Sequence, residues 1–174
     1  LRIPLISRAD FMGYIMMGYE RRIGVSGMHG KSTATSMCAS VLMNADTDPT
    51  VLSGAVLEAM GGAYRVGGRD YFLFEACEYM DSFLDFNPNI AVILNVELDH
   101  VDYFEDLAHV KRSYRSFANI ALSNGGCVVA NGDDANVLDA LNGVDNVIYF
   151  GIENKNASIR AENITEINGK YCFE

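Results

Sequence analysis

Apolar positions along the chain fall into short continuous runs separated by stretches of helical period. "RIGVSG" (22–27), "GCVVANG" (126–132) and "NVIYFG" (146–151) read as short strands, and "DYFLFEA" (70–76) and "NIAVILNV" (89–96) are continuous apolar runs with β-branched and aromatic residues. Strands buried on both faces read this way. Between them, Ala34, Met37, Cys38, Val41 and Leu42 recur at i, i+3, i+4, i+7 and i+8, which predicts an amphipathic helix facing the sheet. A second stripe, Leu107, Val110, Tyr114, Phe117, Ala118 and Ala121, predicts another, and a short helix is expected near Asp134 to Leu141. An entry helix opens at "SRADFMGYIMM", where Ser7 and Asp10 have capping-box spacing. Thr50 to Arg69, broken by five glycines, reads as a strand, a loop and a small hairpin. Alternating strands and helices imply an α/β fold: a mostly parallel sheet with helices on both faces. The tail differs: "ASIRAENITEI" and "KYCFE" flank Asn168-Gly169, predicting a small antiparallel hairpin at the C-terminal end.

Composition adds limits. With 174 residues the chain suits one domain, or one with a small appendage, and 49% hydrophobic content suffices for a full core. A net charge of −10 opposes a nucleic-acid or anionic-membrane surface, though not a local positive pocket for a nucleotide. No apolar run approaches the ~20 residues of a membrane helix. The four cysteines are scattered without a C-x-x-C pair, so reduced thiols in a cytoplasm are expected. Only three histidines, His29, His100 and His109, are present, which argues against a histidine-rich metal site. The chain opens at Leu1 without an initiator methionine and stops within a strand-like run at Glu174; both ends read as cut, as in an excised domain.

The densest chemistry is "GVSGMHGKST", Gly24 to Thr33, which joins the first strand to the following helix. In the general phosphate loop, G-x-x-x-x-G-K-[ST], backbone N–H groups wrap phosphates, the lysine reaches the outer ones and the hydroxyl binds Mg²⁺. Counted back from Gly30-Lys31-Ser32, the first glycine should be residue 25, yet that residue is Val25 and the glycines are Gly24 and Gly27. A glycine-rich turn with an exposed lysine is the plain alternative. Phosphate binding accounts for more, because Gly30 to Thr33 also open a helix whose dipole favours an anion.

The variant G-x-H-G-K-[ST]-[ST] resembles the loop of the Mur ligase family, the ATP-dependent amide-forming enzymes of peptidoglycan synthesis. "FEACEYMDSFLDFNP" (74–88) resembles that family's E-A-D-E-x-D-x-S-F-L segment, and "AVILNVELDHVDYF" (91–104) its A-x-V-x-N-I-E-x-D-H-x-D-x-Y segment. "IPLISRADFMGYIM" is similar to the run-in that joins the family's first domain to its second. Order and spacing agree, and the likeness fades after about Phe150. It points to the alanine-adding branch, with the branch that recycles murein peptides as its nearest rival; a nucleotide-binding module without ligase activity is a third reading.

The resemblance implies a P-loop-type sheet, with residues 1–21 as linker and entry helix and 22–174 as a truncated central ATP-binding domain. It implies ATP and Mg²⁺ as cofactors, and UDP-N-acetylmuramate and L-alanine as partners of the full-length enzyme, joined through an acyl phosphate in the bacterial cytoplasm. Gly27, Met28, His29 and Gly30 would offer loop N–H groups, Lys31 would contact the outer phosphates, and Ser32, with Thr33 beside it, would ligate Mg²⁺. Glu75 matches the family's Mg²⁺-binding glutamate and His100 the histidine that completes the metal site. From the residues alone, Glu75 could equally be a helix cap or ion-pair partner, and His100 a structural hydrogen-bonder. Asn95, Asp99 and Asp102 are second-tier candidates for orienting the site, and His109 is read as solvated on a helix flank. Met28 departs from the family's threonine and Cys77 from the aspartate of E-A-D-E, and no lysine after Lys111 matches the carbamylated lysine of some sister ligases. The H-N-x-x-N segment that closes on adenine is not in the sequence. With two substrate sites on other domains, the chain by itself is expected to be catalytically silent.

Overall fold

Residues 5–174 are described by the structure, a computed structural model. Ile3 and Pro4 of the expected run-in, and the first residues of the expected linker, lie outside them. Chain order gives α1 (Arg8–Met16), β1 (Arg21–Ser26), α2 (Lys31–Asn44), β2 (Thr50–Leu57), β3 (Gly62–Arg65), β4 (Tyr71–Glu75) and β5 (Ile90–Ile93). There follow α3 (Leu107–Ser123), β6 (Cys127–Asn131), α4 (Ala135–Ala140), β7 (Val147–Gly151), β8 (Ile159–Arg160), β9 (Thr165–Ile167) and β10 (Lys170–Cys172). Eight strands form one sheet in the order β3-β2-β4-β1-β5-β6-β7-β8, parallel except for the β2–β3 hairpin. A crossover element follows most of the central strands, as a parallel sheet demands.

Because strand side chains alternate, each continuous apolar run feeds two cores. Val25, Val51 and Leu73 point to one face and pack with Ala39 of α2. Phe72, Phe74, Ala91 and Ile93 point to the other, against Val110, Tyr114, Phe117 and Ala121 of α3. Gly24 lies where β1 passes under these aromatics: a Cβ there would stand 2.8 Å from the Phe74 ring and 3.0 Å from that of Phe117. The α3 stripe is buried as the spacing predicts, save Leu107, which is half-buried at its start. Ser7 caps α1, its hydroxyl accepting from the Asp10 amide at 2.9 Å and donating to the Asp10 carboxylate at 2.8 Å. Met16, at the other end of that helix, is fully buried, so the entry helix packs onto the larger core.

Two expectations hold only in part. Met37 and Val41 of α2 are 64% and 68% exposed, and the face on the sheet is Ala34, Thr35, Cys38, Ala39 and Leu42. Small residues let the helix approach the strands, whereas the longer side chains of the assumed stripe do not. In the tail, β9 and β10 pair antiparallel across Asn168 and Gly169, both at positive φ (53° and 74°) as a two-residue hairpin turn requires. Ile159 and Arg160 are not part of that hairpin; they pair parallel with Phe150 and Gly151 and extend the main sheet.

Candidate functional site

The carboxyl ends of the adjacent strands β4, β1 and β5 carry the sequence-derived candidates, on the edge where parallel sheets gather ligands. Gly27 leaves β1 at φ +148°, and a Cβ there would lie 2.9 Å from that of Leu94. Gly30 caps α2 at φ +81°. Lys31 and Ser32 thus begin the helix, whose first amides have no partner in the preceding turn. Asn95, beyond β5, clamps the loop: its Nδ2 donates to the His29 carbonyl at 3.0 Å and its Oδ1 accepts from the His29 amide at 2.9 Å. The His29 N–H is therefore taken up within the protein rather than offered by the loop. The His29 imidazole is exposed, with Nε2 3.7 Å from Glu97. Met28 turns inward, 7% exposed in the larger core, which explains how an apolar residue is accommodated in a phosphate-type loop. Thr33 is exposed.

Lys31 does not extend into solvent. Its Nζ donates to the Gly27 carbonyl at 2.6 Å, the Met28 carbonyl at 3.4 Å, and both carboxylate oxygens of Glu78 at 3.1 and 3.3 Å. Among the described residues, Glu75 neither caps a helix nor pairs with a cation. Its Oε1 accepts from Ser53 Oγ at 2.6 Å and the Gly54 amide at 2.9 Å, and its Oε2 from Ser32 Oγ at 3.1 Å. A carboxylate fixed by three donors beside a hydroxyl is the hard-oxygen donor set Mg²⁺ takes, so the residues present fit that ion.

His100 has φ +49°, and its amide donates to Asp99 Oδ1 at 2.7 Å. Its Nε2 lies 3.6 Å from Glu78 Oε1, and its ring packs on Tyr79 with centroids 4.6 Å apart. The structure brings Ser32 and Glu75 together but joins His100 to Glu78. Among the described residues, no three His, Cys, Asp or Glu side chains converge on one metal position. The Tyr79 hydroxyl donates to Asp102 at 2.7 Å, which holds that carboxyl below the usual carboxylate range and raises the phenol. Met80 and Asp81 both stand at φ +54°, and the Tyr103 hydroxyl anchors Asp81 at 2.7 Å. Left-handed backbone at three non-glycine residues in this patch is strain of the kind that gathers at working sites. His109 is half-buried rather than free in solvent: its ring packs against Phe104 (5.3 Å) and Tyr103 (5.8 Å).

Glu78 is the residue that sequence reasoning passed over. It is 1% exposed and, among the described residues, the only acidic side chain fully buried. The signal was present as the second glutamate of E-A-C-E, three residues after Glu75, but nothing local marks it as buried. Tyr114 of α3, also fully buried, makes no well-formed hydrogen bond through its hydroxyl among the described residues. Burial foremost, and then the Glu78 charge, push its pKa well above the usual phenol value, with the Gly27 backbone acting the other way.

Comparison with known proteins follows the same lines. The Mur ligase middle domain model matches residues 25–173. The UDP-N-acetylmuramate–L-alanine ligase of Caldicellulosiruptor saccharolyticus is 46% identical over 175 aligned positions, covering 100% of this chain and 38% of the relative. The enzyme of the same name from Caldanaerobacter subterraneus subsp. tengcongensis is 48% identical over 166, covering 95% and 36%. The solved UDP-N-acetylmuramate:L-alanyl-gamma-D-glutamyl-meso-diaminopimelate ligase of Neisseria meningitides superposes with a TM-score of 0.80 at 26% identity, covering 97% of this chain and 59% of that one. The chain spans little more than a third of the length of the curated relatives it matches.

Proposed function

Since the chain belongs to the Mur ligase family through its middle domain, we propose that residues 22–174 are the ATP-binding central domain of a peptidoglycan-synthesis ligase, with 1–21 its linker and entry helix. The whole enzyme would join L-alanine to UDP-N-acetylmuramate through an acyl phosphate. The observation that carries this reading is the convergence of Lys31, Ser32 and Glu75 on the carboxyl edge of β1 and β4. A bacterial cytoplasmic setting goes with it, since ATP is supplied there.

Phosphoryl transfer to a carboxylate asks a protein for positioned phosphates and neutralised charge more than for a reactive side chain. The loop from Gly27 to Ser32 would seat the phosphates, with the α2 dipole favouring their charge. Lys31 lies within its own reach of the loop carbonyls and would shift to the outer phosphate oxygens. Ser32 and Glu75 would hold Mg²⁺, with His100 on the neighbouring segment. When bound, Mg²⁺ supplies charge neutralisation at the transferring phosphoryl group. Ser53 and the Gly54 amide keep Glu75 in one orientation, which lowers the reorganisation needed when the cation binds.

A second reading is favoured by the Neisseria likeness: a ligase that adds a ready-made peptide to the same sugar nucleotide. Identity of 46–48% to alanine-adding enzymes against 26% to the peptide-adding one favours the first. The test uses a longer protein carrying this domain, with ATP, Mg²⁺ and UDP-N-acetylmuramate. Phosphate release that depends on L-alanine supports the proposal, release that depends on the tripeptide supports the second reading, and release with neither amine contradicts both.

A further inference from the structure

Lys31 and His100 approach opposite sides of one buried carboxylate. Lys31 comes from the head of α2, and His100 from the loop after β5. Glu78 itself sits in the turn after β4, held in place by the strained pair Met80–Asp81 and by the Asp81–Tyr103 hydrogen bond. A glutamate 1% exposed requires a cation or donors, and here it has both Lys31 and His100. The ammonium that should grip a terminal phosphate is therefore the principal counter-ion of Glu78. A triphosphate seated in the loop must compete with this carboxylate for Lys31.

We propose that Glu78 is the positioning residue that couples the phosphate loop to His100: it yields Lys31 to the phosphates and, once relieved of it, draws His100 from its present 3.6 Å into a closer pairing. A carboxylate this deeply buried that loses its ammonium must strengthen its remaining pairing, and His100 is the partner already in place. Filling of the loop would then reorient His100 before any cation reaches it. The inference rests on the reading of the loop as an ATP site, and its test separates the two.

The experiment uses the 174-residue chain, a non-hydrolysable ATP analogue without Mg²⁺, and NMR of the three histidine rings, with His109 as the internal control. In the wild type, analogue binding should shift the His100 ring resonances while those of His109 stay in place. Glu78→Gln, which removes the competitor for Lys31, should bind the analogue more tightly and abolish the His100 response. Glu78→Asp should do the same in smaller measure, which covers the case in which the Gln variant fails to fold. Wild-type binding with no movement of His100, or Glu78 variants that bind no tighter, overturns the coupling while leaving the ATP site intact. Binding that appears only when Mg²⁺ is added, with the analogue alone leaving His100 unmoved, likewise overturns the coupling, and no binding with or without Mg²⁺ removes the ATP reading and this inference with it.

Discussion

Ser32 ties the head of α2 to the end of β4. Its position one step into α2 follows from Gly30, which takes the left-handed cap conformation, and its hydroxyl meets Glu75 across the sheet edge at 3.1 Å. In the proposed site this pair holds Mg²⁺, so Ser32→Ala should weaken the Mg²⁺-dependent part of ATP-analogue binding about tenfold or more, with stability little changed. Calorimetric titration with and without Mg²⁺ checks it; an unaltered Mg²⁺ dependence would remove Ser32 from the metal set. At this scale the places of Gly27 and Gly30 in the turn, of Lys31 at the start of α2 and of Glu75 at the end of β4 were legible from motif and pattern. Glu78 was not, because its burial depends on a lysine 47 positions earlier and a histidine 22 later, which no local pattern records. Asn95 was legible only as a polar residue after a strand; its grip on both backbone groups of His29 belongs to the folded loop.

Elements were read well where burial is strongly one-sided. The α3 stripe and the β4 and β5 runs carry large apolar residues at unambiguous spacing, and they form the core that was expected. Helix α2 is different: it mixes Ala, Ser, Thr, Cys and Met, so its true inner face, built on Thr35 and Ala39, is less hydrophobic than the stripe that periodicity selects. The two-residue strand β8 has no period to read, and its pairing with β7 is decided by the chain around it. The segment Tyr79–Asp85 deserves its own test, since it follows Glu78 and is pinned by Phe83. That ring is fully buried, stacked on Phe117 at 4.8 Å and edge-on to Tyr114 at 5.3 Å. Phe83→Ala should cost about 3–5 kcal/mol in urea unfolding and weaken nucleotide binding as well, because the turn that carries Glu78 loses its anchor. A loss below about 1 kcal/mol would show that the segment is held by other contacts.

For the whole molecule, a net charge of −10 sits beside a loop proposed to take a polyanion. The contradiction is only apparent, since binding responds to the local field of amides, helix dipole and Lys31 rather than to the sum over the surface. Parallel topology places the ends of β4, β1 and β5 side by side, so segments distant in sequence form one patch. The central claim is that this patch is a phosphate cradle worked by Lys31. Its most direct test is isothermal titration of the chain with a non-hydrolysable ATP analogue and Mg²⁺, repeated on Lys31→Ala with its fold verified by circular dichroism. Mg²⁺-dependent binding by the wild type that is lost in the variant is the result this account predicts. A folded wild type that binds no analogue, or a variant that binds it equally well, would contradict it.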